Sequence, residues 1–263
     1  MRIGFFDSGV GGATVLARAL ASMPEEDFLY FADTLHVPYG EKPKDEVQGH
    51  IFAAVEQMVE EGLKALVIAC NTATSIAVKA LREKYSFPII GMEPAVKPAV
   101  MRTAGSEKRV LVFATSLTLR EAKFQQLVSA VDQHHIVDHL ALPGLVELAE
   151  KGIFGGPLAE EYLRRELAPF DLECYGTAVL GCTHFPLFRP VFAELLPAGT
   201  DLIDGAEGTV RHLKATLDKA GLAGGGSGRL EFMSSGRSAK TEDIFNAALD
   251  AASDMEKRMR RQA

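Results

Sequence analysis

A chain of 263 residues with 47% hydrophobic and 24% charged residues is long enough for one large domain or two modest ones. Its formal net charge of −7 argues against a nucleic-acid partner, because phosphate recognition calls for a basic face. No apolar stretch reaches the roughly 18–20 residues of a membrane span, and the residues between Arg2 and Asp7 are too few for a signal-peptide core, so a cytoplasmic protein without membrane contact is expected.

Short apolar runs alternate with longer amphipathic stretches. The first predicted strand, residues 2–6, leads into Asp7-Ser8-Gly9-Val10-Gly11-Gly12, a glycine-rich turn opening a helix. Thr14 stands at the third glycine position of G-x-G-x-x-G and no Walker lysine follows, so a nucleotide loop is poorly supported. Asp7 could cap that helix, hold a substrate ammonium, or take a proton from a thiol. Strand 28–31 leads to Asp33 and an uncharged loop, 34–40, suited to offering backbone donors to a carboxylate. A helix follows with Val47, Ile51, Val55, Met58 and Val59 on one face. Strand 65–69 ends at Cys70, with Asn71 and Thr72 opening the helix to Tyr85. Strand 87–91 and a crossover containing Pro94 and Pro98 come next, then strands 109–113, 136–140 and 177–180. The last of these ends near Cys182, Thr183 and His184, with a helix predicted over 186–196. Strand 201–203, a flexible surface loop over 221–228 and a packed helix carrying Ile244, Phe245, Ala248, Leu249 and Ala252 complete the chain. Its basic end (Lys257, Arg258, Arg260, Arg261) complements a helix dipole. This alternation predicts an α/β fold with largely parallel sheets, whose ligands collect beyond the carboxyl ends of the strands.

A weak internal repeat sharpens that expectation. Val67-Ile68-Ala69-Cys70-Asn71-Thr72 resembles Val179-Leu180-Gly181-Cys182-Thr183-His184, and the run ending Asp7-Ser8 resembles the run ending Thr115-Ser116. Nearly equal distances separate Asp7 from Cys70 and Thr115 from Cys182. Two similar units facing each other would bring two thiols to one ligand from opposite sides. Both thiols are expected at helix N-termini, where the thiolate is favoured and the pKa falls. The three cysteines form no C-x-x-C pair, and a disulfide framework is not expected. Cys174 has no polar companions in sequence and is expected to be a buried packing residue. His36, His134 and His135 are expected at the surface or in packing, whereas His184 could assist Cys182. Zinc on Cys182, His184 and an acid would lack a second ligand pair, so no metal is expected.

Four segments together resemble the family of cofactor-independent aspartate/glutamate racemases. They are Phe6-Asp7-Ser8-Gly9-Val10-Gly11-Gly12, Asp33-Thr34-Leu35-His36-Val37-Pro38-Tyr39-Gly40, Ala69-Cys70-Asn71-Thr72-Ala73-Thr74 and Gly181-Cys182-Thr183-His184-Phe185-Pro186. The resemblance implies two pseudo-twofold-related α/β domains with the active site in the cleft between them. These would be residues 1–95 plus 206–263, carrying Asp7 and Cys70, and residues 96–205, carrying Cys182 and His184. It implies that Cys70 acts on D-glutamate and Cys182 on L-glutamate, assisted by Asp7 and His184 respectively. Asp7, Ser8, Pro38, Tyr39, Gly40, Asn71, Thr72, Thr115, Thr183 and His184 would hold the substrate, with Glu150 lining the cleft. No cofactor is implied; a homodimer and a role in supplying D-glutamate for peptidoglycan are. The sequence departs from the family pattern at Leu35-His36, Leu142 and Gly205, and follows it loosely over 114–120. The alternatives are an aspartate-type racemase or decarboxylase of the same family, a single-cysteine amidase or hydrolase, and a small-acid sensor without turnover.

Overall fold

The computed structural model describes residues 1–236 and 238–262; within the predicted 206–263 segment, Arg237 and Ala263 lie outside the described residues. The chain runs β1 (Arg2–Asp7), α1 (Ala13–Ser22), β2 (Phe28–Ala32), α2 (Lys44–Glu60), β3 (Leu63–Ile68), α3 (Asn71–Lys84) and β4 (Ile89–Gly91). It continues through α4 (Val96–Thr103), β5 (Arg109–Ala114), α5 (Ser116–Arg120), α6 (Ala122–Val131), β6 (Val137–Ala141), α7 (Pro143–Glu150) and α8 (Pro157–Leu167). The remainder is β7 (Tyr175–Leu180), α9 (Arg189–Leu195), β8 (Asp201–Asp204), α10 (Ala206–Ala220), β9 (Leu230–Ser234) and α11 (Ala239–Gln262).

Two parallel sheets result, ordered β4-β3-β1-β2-β9 and β6-β5-β7-β8. Read from the other edge, the second sheet is β8-β7-β5-β6, which is the order of the first without β9. The correspondence extends to detail: the β1–β3 register slips between Arg2 and Ile3, and the β5–β7 register slips at the matching place, between Arg109 and Val110. β1 and β3 are buried almost throughout, and apolar apart from Arg2, Asp7 and Lys64, because both faces are covered. Ile3 and Phe5 enter one core, and Phe6 points to the opposite side among Leu29-face residues and α2 and α3. The first of these cores is continuous through both sheets, taking in Leu111, Phe113, Ala178 and Leu180. Hydrophobic packing thus joins the two units directly behind the carboxyl ends of their central strands.

The predicted strands are all present, but β9 was not expected. It is a half-buried edge strand, paired in parallel with β2 from Phe28↔Leu230 to Ala32↔Ser234. It returns the C-terminal part of the chain to the first sheet, and α11 then packs on α1, with Phe245 against Tyr30 at 4.5 Å between ring centres. Three further expectations are corrected. The glycine-rich loop is tethered: Lys64 Nζ donates to the Leu222 and Gly224 carbonyls, Glu26 accepts from the Gly224 N–H, and Asp27 accepts from the Ser227 and Arg229 N–H groups. Cys174 is half-exposed in a short 3-10 turn (Leu172–Cys174), its thiol donating to Asp171. The helix predicted over 186–196 is a 3-10 turn (Phe185–Phe188) followed by α9, because Pro186 and Pro190 confine regular helix to the later residues. Among the described residues no helix is long and apolar enough to cross a membrane.

The Lys64–Glu26 pair is buried, with only 6% and 5% of the two side chains exposed. Removing one partner strands the other's charge, so Lys64→Met is expected to lower unfolding free energy by about 3–5 kcal/mol. Urea denaturation checks this, and an unchanged midpoint would show that the pair does not hold the loop.

Candidate active site

The carboxyl ends of β1 and β3 carry one half of the site. Asp7, wholly buried, accepts the Gly9 N–H at 3.1 Å, a bond that the tight turn after β1 makes available. The next residue, Ser8, places its Oγ 3.6 Å from Cys70 Sγ. Cys70 caps α3, its sulfur accepting the Ala73 N–H at 3.4 Å, as expected for a residue between strand and helix. Beside it, both ends of the Asn71 amide are buried without a protein hydrogen-bond partner. An unpaired buried amide is costly, which points to a polar ligand at this position.

The second half stands beyond β7. Cys182 Sγ lies 3.6 Å from His184 Nδ1, and His184 Nε2 lies 2.6 Å from Glu150 Oε1 at the end of α7. Cys182 does not cap a helix, since the chain enters the 3-10 turn instead; its polar neighbour is the imidazole. The same Glu150 oxygen accepts the Val10 N–H at 2.8 Å, and Thr183 Oγ1 donates to Asp7 at 3.1 Å. The two halves are therefore sewn together by polar contacts between the glycine-rich turn and the Cys182 segment. This explains the glycines: a Cβ on Gly9 would collide with the Glu150 carboxylate, and one on Gly11 would sit 2.5 Å from His184 Nδ1.

A third group of contacts closes the opposite side. Thr72 Oγ1 lies 2.9 Å from Thr115 Oγ1 and 3.0 Å from Thr118 Oγ1, joining the start of α3 to the start of α5. Thr115 caps α5 by accepting the Thr118 N–H. Thr118 was not singled out in the sequence, although its i+3 spacing from a capping threonine is a readable signal. The 34–40 loop ends in a short turn (Tyr39–Glu41), with Pro38 half-buried before it and Tyr39 hydrogen-bonded to Asp33. Gly40 lies against Thr115, where an added Cβ would approach Thr115 Cβ to 2.7 Å. Asp7, Ser8, Cys70, Asn71, Thr72, Thr115, Cys182, Thr183 and His184 stand at or just beyond strand ends, Glu150 reaches them from the end of α7, and Gly40 meets Thr115 from the 34–40 loop.

Burial dominates the electrostatics. Burial raises the Asp7 pKa to about 6, although the His184 charge and the Gly9 N–H pull the other way. Burial also pushes the Cys70 thiol up to about 12, reinforced by the charges of Asp7 and Cys182. This corrects the expectation of a lowered pKa: the N-terminal dipole and the Ala73 N–H favour the thiolate, but excluding water costs more. For His184 burial favours the neutral ring, yet hydrogen bonds with Cys182 and Glu150 and their charges outweigh it, so the imidazole holds its proton well above the usual range. The arrangement therefore pairs a protonated thiol near a carboxylate with a second sulfur facing an imidazolium.

Comparison with known proteins agrees in sequence and shape. The family model described as Asp/Glu/Hydantoin racemase matches residues 14–213. A glutamate racemase of Halothermothrix orenii is 58% identical over 90% of this chain and 94% of that protein, and glutamate racemase 2 of Bacillus subtilis is 52% identical over 94% and 93%. Among solved structures, the glutamate racemase of Escherichia coli in complex with L-glutamate and the activator UDP-MurNAc-Ala superposes with a TM-score of 0.85 at 30% identity, covering 95% of each chain.

The raised Asp7 pKa has a stability consequence with a definite sign. Folded Asp7 keeps its proton up to about pH 6, whereas the ordinary value is 3.8, so the folded state binds the extra proton between these limits. Stability from this group is complete below the lower value and is lost as pH rises through the upper one. Asp7→Asn is expected to gain on the parent by about 2–3 kcal/mol between acid and neutral pH, read from urea midpoints. A constant difference across that range would contradict the raised pKa.

Proposed function

This chain belongs to the Asp/Glu/hydantoin racemase family, and from that premise we propose that it interconverts L- and D-glutamate by proton transfer between Cys70 and Cys182. The observation that carries the reading is the placement of two thiols just beyond equivalent strands of two sheets with matching strand order, in halves joined by the Thr183–Asp7 and Thr72–Thr115 hydrogen bonds.

Inverting an α-carbon requires that its hydrogen leave one face and a hydrogen arrive on the other. A lone base would return the proton to the face it left. With L-glutamate, the Cys182 thiolate takes the α-hydrogen while the Cys70 thiol donates to the opposite face, leaving Cys182 protonated and Cys70 ionised. That state is the one needed for D-glutamate, on which the roles reverse. The resting protonation fits this order: the Cys70 thiol is held protonated, and the His184 imidazolium faces the Cys182 sulfur with a hydrogen to offer its thiolate. Glu150 orients that imidazole through Nε2. Asp7, with a pKa near 6, is placed either to exchange a proton with Cys70 or to balance the substrate ammonium.

The carbanion-like transition state needs charge stabilisation. The Ser8 and Thr72 hydroxyls and the unpaired Asn71 amide are the donors available for the substrate carboxylates, while Thr115 and Thr183, whose hydroxyls donate to Thr118 and Asp7, line the wall with Tyr39 and Gly40. In a site that excludes water such fixed donors act far more strongly than in solution. We take residues 1–95 with 206–263 and residues 96–205 as the two domains that contribute these halves. The family resemblance also carries the proposals that the chain works as a cytoplasmic homodimer and that its D-glutamate feeds peptidoglycan. A single-nucleophile amidase would leave one thiol and its partners without a role.

Cys70→Ala and Cys182→Ala are each expected to lower racemisation by about 10²–10⁴-fold or more while circular dichroism stays that of the parent. Turnover retained in either variant, without added thiol, would refute the two-thiol assignment.

A further inference from the structure

We infer that Asp33, His36 and His50 form a binding site for a divalent transition-metal ion of the nickel or zinc class, separate from the paired cysteines. One ligand-capable atom from each lies within 4.8 Å of the others, although the residues come from the end of β2, the following loop and α2. With metal–nitrogen and metal–oxygen bonds of about 2.0–2.2 Å, all three come to one ion once the two imidazole rings rotate about their side-chain bonds.

The chemistry of the group favours a cation over a simple ion pair. Asp33 is a buried carboxylate, and among the described residues its recorded ion-pair partner is His36 rather than a lysine or arginine. His36 Nδ1 approaches both Asp33 oxygens, at 2.7 and 2.9 Å. The His36 and His50 rings stack with centres 3.6 Å apart and planes 13° from parallel. Two protonated rings so placed would repel, whereas a metal takes imidazoles in the neutral form. Glu46 sits one helical turn before His50, with Oε1 3.4 Å from His50 Nε2, and supplies a further oxygen at the rim. Both histidine side chains are partly exposed, at 35% and 24%, which leaves an entry path and room for water in the remaining positions. Imidazole with carboxylate suits nickel and zinc, and the stacked rings must open about their side-chain bonds to direct their nitrogens at one ion. A bound ion would tie the 34–40 loop, through His36, to α2, through His50, and would share the Asp33 carboxylate that receives the Tyr39 hydroxyl.

The site stands on its own geometry, whether or not the racemase reading holds. The test is titration of the full chain with Ni²⁺, followed by calorimetry and by the paramagnetic broadening of histidine ring signals in ¹H–¹⁵N spectra. Signals of His36 and His50 are expected to broaden first, and His36→Ala and His50→Ala each to weaken binding by about tenfold or more. His50→Ala, on an exposed helix turn, is expected to keep the parent's circular dichroism and turnover. Unchanged affinity in both variants, or broadening centred on His184 or another histidine, would overturn the assignment.

Discussion

The hydrogen bond from Thr183 to Asp7 is the contact on which the site's architecture turns. It links the tip of β1 to the segment after β7, across two sheets whose cores merge immediately behind them. An ionised carboxylate in this position has lost nearly all its water, and the nearby His184 charge, a backbone N–H and a hydroxyl return only part of that loss. The consequence is a carboxyl group poised near neutrality, where it can gain or lose a proton at little cost. Stability is sacrificed locally for that property, as is common where buried groups do chemistry.

The same water exclusion sets the asymmetry between the two sulfurs. Cys70 has the helix N-terminus and a serine hydroxyl for company, and neither offsets burial beside a carboxylate. Cys182 instead has an imidazole whose far nitrogen is held by Glu150, and that acid is in turn fixed by the Val10 N–H. Two matching sheets therefore present two unlike thiol environments.

Much of this was legible in the sequence, and what was not has a physical reason. β1, β3, β5 and β7 were readable because strands buried on both faces are nearly continuous apolar runs. The repeat around Cys70 and Cys182 foretold the equivalence of their sheets. β9 escaped because a half-buried edge strand after a glycine-rich stretch carries a weak pattern. The cap at Cys70 was evident from its place between strand and helix, but the direction of its pKa was not, since desolvation is a property of the assembled cleft. Proximity of Glu150 to Val10 and of His50 to Asp33 likewise arises only when distant segments meet. Thr118, by contrast, carries a local signal in its i+3 spacing from the capping Thr115.

The measurement that bears most directly on proton transfer across one bound carbon is the early isotope content of both enantiomers when L-glutamate is incubated with the chain in heavy water. Transfer between two monoprotic sulfurs on opposite faces predicts that newly formed D-glutamate carries solvent deuterium at its α-carbon while the remaining L-glutamate keeps its protium. D-glutamate that retains the original hydrogen, or L-glutamate that exchanges ahead of inversion, would contradict it.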